Sequence, residues 1–267
     1  MKSFLKIRSI MTIILMLIIS FSFVEAQKKD EFRKHDNNAF REGEKLTFEV
    51  KYGFVTAGIA SFEIPAIKKI SGRNAYHVTF EVNTVPTFDN FFKVRDRYET
   101  YIDVEGIFPW RFEQHIREGN YSRDFSAFFD QRKGNAKTSG GQYEIPKYVN
   151  DIVSAFFYAR TIDYSNLNVG DKIPLKNFYK DKVYDLDVVY HGKETIEVAA
   201  GKFECIIVEP LVQEGGLFKN EGSIMVWMTN DEAKMPVRVK TKVVVGAINS
   251  DLTSYSGVHG KLTAKKK

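Results

Sequence analysis

Five histidines, one cysteine and scattered carboxylates are the residues that could do chemistry in this chain, and their spacing limits what is open to them. His35, His77, His115, His191 and His259 form no His-x-His pair and no HExxH, so they lack the spacing of a zinc site. Ser154 has no flanking glycines to make a nucleophile elbow, and no GxxxxGK phosphate loop occurs. Cys205 alternates with Phe203 and Ile207, the pattern of a buried, inert thiol. The run DYSNLNVGD from Asp163 to Asp171 superficially resembles a calcium loop. Its glycine is misplaced and no distal glutamate follows, so it reads as a turn. A glycosidase pair is assembled by folding and leaves no spacing signal, which keeps Asp96, Glu113 and Glu118 as candidates for a carboxylate-dependent glycan hydrolase. Nothing distinguishes them from ordinary strand and turn carboxylates. No catalytic motif, metal site or cofactor is therefore expected, and the chain reads as a non-enzyme.

Two features break the ordinary pattern. In FKVRDRYETYID the inward stripe runs Val94, Asp96, Tyr98, Thr100, Ile102, which directs the Asp96 carboxylate into the protein. Leaving a buried carboxylate unpaired costs several kcal/mol, so a partner is expected. Arg160 is one candidate, in a structural ion pair tying helix to sheet, and Arg123 is another. The alternative is an edge strand whose inner face is partly wet. The second feature is TVPTFDNFFKV, which sets Phe88, Phe91 and Phe92 beside Pro86 and Asp89-Asn90 in an expected loop. The chain has 22 Phe, 13 Tyr and 2 Trp, and a core accounts for most of them, but a loop bearing three phenylalanines needs a surface to cover.

The elements that must position these groups are mostly strands. Two-residue alternation recurs from Glu44 to Tyr255, for example in EKLTFEVKY, AYHVTFEV and WRFEQHIR, and predicts about ten or eleven antiparallel strands. Glu118-Gly119-Asn120 reads as a hairpin turn, His191-Gly192 and Ala200-Gly201 as further turns, and GNAKTSGGQYEIPKY as a mobile loop. One helix interrupts the pattern: NDIVSAFFYAR, with Asn150 as N-cap, Asp151 and Arg160 matching the helix dipole, and an apolar middle. The fold class is all-β and mainly antiparallel: a strongly curved sheet, incomplete barrel or sandwich with one apolar helix packed on or across it. Apolar residues on every side of a helix call for burial on every side. One side could pack on the sheet while Phe156, Phe157 and Tyr158, with Phe88, Phe91 and Phe92, line a ligand cavity.

The N-terminus carries Lys2, Lys6 and Arg8, an apolar run from Ile10 to Val24 and small residues around Ala26. This is the pattern of a cleaved secretory leader, too short to cross a bilayer. The organisation reads as a signal peptide at 1–26, a flexible segment at 27–39, a single β-rich domain at 40–258 and a basic tail at 259–267. No later segment is apolar enough to span a membrane. The formal net charge is +5, but basic and acidic residues interleave, so no nucleic-acid surface is expected. A single cysteine in an exported chain cannot form an internal disulfide, so stability must come from the core.

The segments GEKLTFEVKYGFVTAGIASFEI, VRDRYETYIDVEGIFPWRFEQHIREGNY, DIVSAFFYAR, HGKETIEVAAGKFECIIVEP and SIMVWMTNDEAKMPVRVKTKVVVGAINSDL resemble the bacterial exported family known as domain of unknown function 3108. That resemblance implies an envelope location and no established activity. The segment MVWMTNDEAKMPVRVKTKVVVGAINSDLTSY is also similar, in one hairpin, to the periplasmic lipoprotein carriers LolA and LolB, which hold acyl chains in a curved, incompletely closed barrel. The resulting expectation is a periplasmic or envelope-associated protein binding a hydrophobic small molecule, lipid or acyl chain. The alternative is an envelope interaction module docking on a partner protein through its aromatic loop.

Overall fold

The structure is a computed structural model that describes residues 32–212, 223–243 and 246–267. The expected leader at 1–26 lies outside them. The alternating segments form one antiparallel sheet: β1 (Lys45–Tyr52), β2 (Val55–Ile70), β3 (Arg73–Thr84), β4 (Arg95–Asp103), β5 (Pro109–Glu118), β6 (Tyr121–Asp130), β7 (Asn135–Thr138), β8 (Gly141–Glu144), β9 (Lys172–Tyr179), β10 (Lys182–Val198), β11 (Gly201–Val212), β12 (Ile224–Thr229), β13 (Pro236–Lys242) and β14 (Ala247–Ser256). A two-residue β15 (Lys265–Lys266) pairs with β11. The sheet order is β8-β7-β6-β5-β4-β3-β2-β1-β14-β13-β12-β11-β10-β9, so β8 and β9 are its edges.

Right-handed twist accumulated over so many strands curls the sheet until its edges face each other. Phe178 of β9 lies 6.1 Å from Tyr143 of β8 and 5.7 Å from Phe129 of β6, ring centroid to ring centroid. Thr138 donates to Asp181 across the same seam at 2.9 Å. Side chains join the edges where no backbone ladder does, and the sheet remains an unclosed barrel.

The helix α2 (Ile152–Arg160) lies in the chain between the two edge strands. Its N-cap is Asp151, one residue later than the sequence suggests. Asn150 is occupied as a strand residue in a parallel bridge to Asn177, so the first residue free to cap is Asp151. Its side chain accepts from the amides of Val153 and Ser154, while Ser154 Oγ accepts from the Asp151 amide: a complete capping box. Thr100 of β4 donates to the same carboxylate at 2.7 Å, tying the helix start to the sheet.

Several expectations change. The segment expected as a mobile loop before the helix is the β7–β8 hairpin. His191-Gly192 is a bulge within one long strand and not a turn. A second helical element exists, the single turn α1 (Pro86–Asp89), in the stretch expected to be loop: Pro86 sits at its first position, where a missing N–H costs nothing. The basic tail pairs through β15, with Lys266 on Glu204. Within the segment expected to be flexible, Ala39 is buried and the His35 ring meets the Thr161 hydroxyl at 2.7 Å.

Candidate binding site

A cavity of about 320 Å³ lies between α2 and the concave face of the sheet. Ile152, Val153, Ala155, Phe156 and Ala159 line it, and their spacing marks one face of a helix. Phe48, Ala60, Phe62, Phe80 and Tyr98 of β1–β4 form one wall, and Leu186, Val188, Val208, Val226 and Val239 of β10–β13 form another. No lining residue carries a formal charge. Phe156 stacks on Phe62 at 5.3 Å, and Phe62 stacks on Phe80 at 4.3 Å, so an aromatic ladder floors the space.

The polar group in this wall that stands out is Asn177 of β9. It follows Ile173 and Leu175 on an inward stripe, it is buried, and its Oδ1 accepts no hydrogen bond. Asn150, bridged to it through backbone, is also buried with an unpartnered Oδ1. Two neighbouring buried carboxamide oxygens without donors are costly unless something that donates comes to them.

The other face of α2 packs into the core. Phe157 is fully buried and meets Phe40 edge-on at 4.8 Å. Arg160 is fully buried too. Its guanidinium grips Glu44 bidentately, at 2.6 Å and 2.9 Å, donates to the carbonyls of Ala39 and Ala233 at 3.1 Å, and lies over the Phe40 and Phe157 rings.

The expected Arg160–Asp96 pair is therefore replaced by Arg160–Glu44. Asp96 does point inward and is buried, but its Oδ1 accepts from the Arg117 amide at 2.9 Å. Burial raises its carboxyl above the ordinary value, and the Arg117 amide and the Glu118 side chain partly offset that. Glu44 begins the alternating run on the same inward stripe as Leu46 and Phe48, so its direction was legible; its pairing was not, because Arg160 lies 116 residues away.

Of the six aromatic residues proposed to contact a ligand, Phe156 lines the cavity. Phe157 packs in the core, and Tyr158 lies tilted against the His35 ring at 4.9 Å. Phe88, Phe91 and Phe92 stand outside the cavity, with Phe91 84% and Phe92 49% exposed. A helix interior has only one face for the cavity, and the α1 turn lies at the end of the barrel instead of folding over its hollow. Asn177 was missed although its signal was legible: a polar residue two positions beyond Ile173 and Leu175 on an apolar stripe, the same break that Asp96 makes.

Asp96, Glu113 and Glu118 are absent from the cavity lining, and Glu113 is held by Arg111 at 2.6 Å. Burial pushes the Cys205 thiol up to about 12, as expected of an inert thiol. Among the described residues no group of three or more His, Cys, Asp or Glu could hold a metal ion, and no helix is long and apolar enough to cross a membrane.

A family model for proteins of unknown function, DUF3108, matches residues 47–253. The chain belongs to the DUF3108 family. Its fold is similar to that of a β-barrel-like protein of the DUF1849 family from Brucella abortus, with a TM-score of 0.55 and 10% identity over 83% of this chain and all of that one. Weaker likenesses, at TM-scores of 0.37 and 0.33 and 12% identity, are to a protein named as a lipoprotein from Parabacteroides distasonis and an exported protein with a YmcC-like fold from Bacteroides fragilis. Each covers 84% of this chain and all of the other. No curated protein matches the sequence. These structural likenesses concern the fold; the DUF3108 match adds no activity.

Proposed function

We propose that this protein is an exported, non-catalytic binding protein of the cell envelope that holds the chain of a single-chain amphiphile, such as a fatty acyl lipid, between α2 and the concave sheet. The observation that carries the reading is an uncharged, largely apolar cavity lined by the buried carboxamide of Asn177, whose Oδ1 accepts no hydrogen bond. Its volume of about 320 Å³ sits at the small end of the roughly 300–1,000 Å³ typical of small-molecule sites, which suits one chain better than several. With no cation in the lining, a charged head group has no counter-ion inside and would stay at the mouth. A hydroxyl or amide N–H next to the chain could reach Asn177 and satisfy its Oδ1. The leader pattern at 1–26 supports export.

Native mass spectrometry of the purified chain, followed by titration with a fluorescent fatty acid, tests the reading. A co-purifying mass of acyl-lipid size, or saturable uptake blocked by Ala155→Phe, is the expected result. A clean apo mass with no uptake overturns it. A chain confined to the cytoplasm on cell fractionation overturns the envelope assignment.

A further inference from the structure

Five of the six exposed aromatic residues among those described stand at one end of the barrel: Tyr52, Phe54, Phe91, Phe92 and Tyr121, with Phe128 the exception. Phe54 at the β1–β2 turn is 104% exposed and Phe91 is 84% exposed. Backbone contacts make this end one continuous rim. The Val85 amide donates to Ala57 at 3.0 Å, linking the Phe54 hairpin to α1, and the Gly119 amide donates to Lys93 at 2.8 Å, linking α1 to the Tyr121 hairpin. Gly119 adopts φ +55°, and a side chain there would meet the Phe92 ring at 3.0 Å, so the glycine lets the aromatic tip lie on the next turn. Seven strands, β14 and β1–β6, feed this rim, about 30 Å of sheet edge at ~4.8 Å per strand.

The cavity lies toward the same end. Ser250 and Thr241, which line it, sit a few residues from the β13–β14 turn, and Ile224 pairs with Thr241. The far half of the barrel is filled by Leu46, Phe203, Met235, Val237 and Leu252.

Several acidic groups at and beside the rim are neutralised, while Asp181 engages the Thr138 hydroxyl. Glu49, Asp89, Asp124 and Asp251 are each held by a base, Lys51, Arg95, Arg117 and Arg238 respectively. Lys93, Lys182 and Lys242 are exposed, and no ion pair holds them among the described residues.

We propose that this rim docks on an anionic lipid bilayer, with Phe54 and Phe91 entering the interfacial layer and the lysines meeting head-group phosphates. Aromatic rings on separated loop tips suit a soft interface, where each ring inserts independently. A protein partner would have to match several tips at once. Fully exposed apolar rings gain burial there, and each nearby lysine adds attraction to an anionic surface. Docking would bring the lipid to the end of the barrel toward which the cavity lies, although the docking itself does not depend on the cavity reading.

The test is co-sedimentation of the chain from Gln27 onward with vesicles of phosphatidylethanolamine and phosphatidylglycerol, against vesicles of phosphatidylcholine alone. Binding to the anionic vesicles that weakens with salt is expected. The double change Phe54→Ser and Phe91→Ser should weaken it roughly tenfold or more, with an unchanged melting temperature because neither ring is packed in the core. Lys93→Gln with Lys242→Gln should weaken binding a few-fold and flatten the salt dependence. No binding to anionic vesicles, a double phenylalanine variant that binds like the wild type, or a photo-crosslinker at position 91 that captures a single envelope protein instead of lipid overturns the proposal. Fatty-acid uptake from solution, measured on the same variants, reports the cavity separately: it should persist when docking is lost, and its failure in the wild type would leave vesicle binding intact.

Discussion

Phe156 and Phe157 are adjacent on one helix and live in different surroundings. Phe157 is fully buried against Phe40 and the Arg160 guanidinium. Phe156 stacks on Phe62 and borders a space of about 320 Å³. The packed side is anchored at its far end by a desolvated ion pair, and the hollow side has no charge at all. The difference suggests a division of labour: α2 is held in position by one face so that the other can remain incompletely packed. A void loses dispersion contacts and is costly to maintain, so it persists only where the surrounding structure is rigid enough not to collapse into it.

The comparison can be broken most directly at Arg160. Arg160→Met strands Glu44 in the interior and is expected to cost about 3–5 kcal/mol in denaturant unfolding. Adding Glu44→Leu should recover most of the loss, because two apolar groups replace two charges. If Arg160→Met proves neutral, the packed side is not an anchor.

Next in size is the paired truncation. Phe157→Ala should cost about 3–5 kcal/mol. Phe156→Ala should cost clearly less, about 1–2 kcal/mol, because its ring already borders empty space and forfeits fewer contacts. Equal losses would mean that the cavity is closed in solution.

The acid limb of stability probes a second ion pair, Arg73 with Asp103 at the end of β4. Asp103 is buried, and burial alone would raise its carboxyl, but Arg73, the Trp110 indole and the Gly106 amide outweigh that and hold it below the usual carboxylate range. A carboxyl depressed by folding contributes stability that is present above its unfolded value, near 3.8, and lost as pH falls through the folded one. Asp103→Asn should therefore cost about 2 kcal/mol near neutral pH. The gap from the wild type should close on acidification below about pH 4. A pH-independent gap would assign the loss to packing.

The smallest effect on stability belongs to the hollow side. Ala155→Leu projects extra carbon into open space and should change stability by less than about 1.5 kcal/mol in either direction. Its consequence should instead appear as reduced fatty-acid uptake. A large destabilisation would indicate that Ala155 faces packed atoms.

Much of this was legible in the sequence. Alternation along EKLTFEVKY and AYHVTFEV placed Leu46, Phe48, Val78 and Phe80 on inward stripes, and the register of the sheet agrees. The helix NDIVSAFFYAR and the inward turn of Asp96 followed from local spacing as well. What local pattern left open was partnership. Asp96 had a direction but no identifiable partner, and it found a backbone amide on the next strand. Arg160 had a partner type, a carboxylate, but the one supplied lies 116 residues away.

The sequence by itself determined the period of each element, because backbone geometry makes side chains alternate along a strand and recur every three or four residues along a helix. It also determined that α2 would seek burial and that the chain would rely on a core without an internal disulfide. Only the tertiary structure decided which face of α2 is packed and which is hollow, that Asn177 would border the hollow with its Oδ1 accepting no hydrogen bond, and that Phe54, Phe91 and Tyr121 would share one rim. Those outcomes depend on how far the sheet curls before its edges β8 and β9 meet. That curl is a sum of small twists over the whole ladder and cannot be read from any one strand.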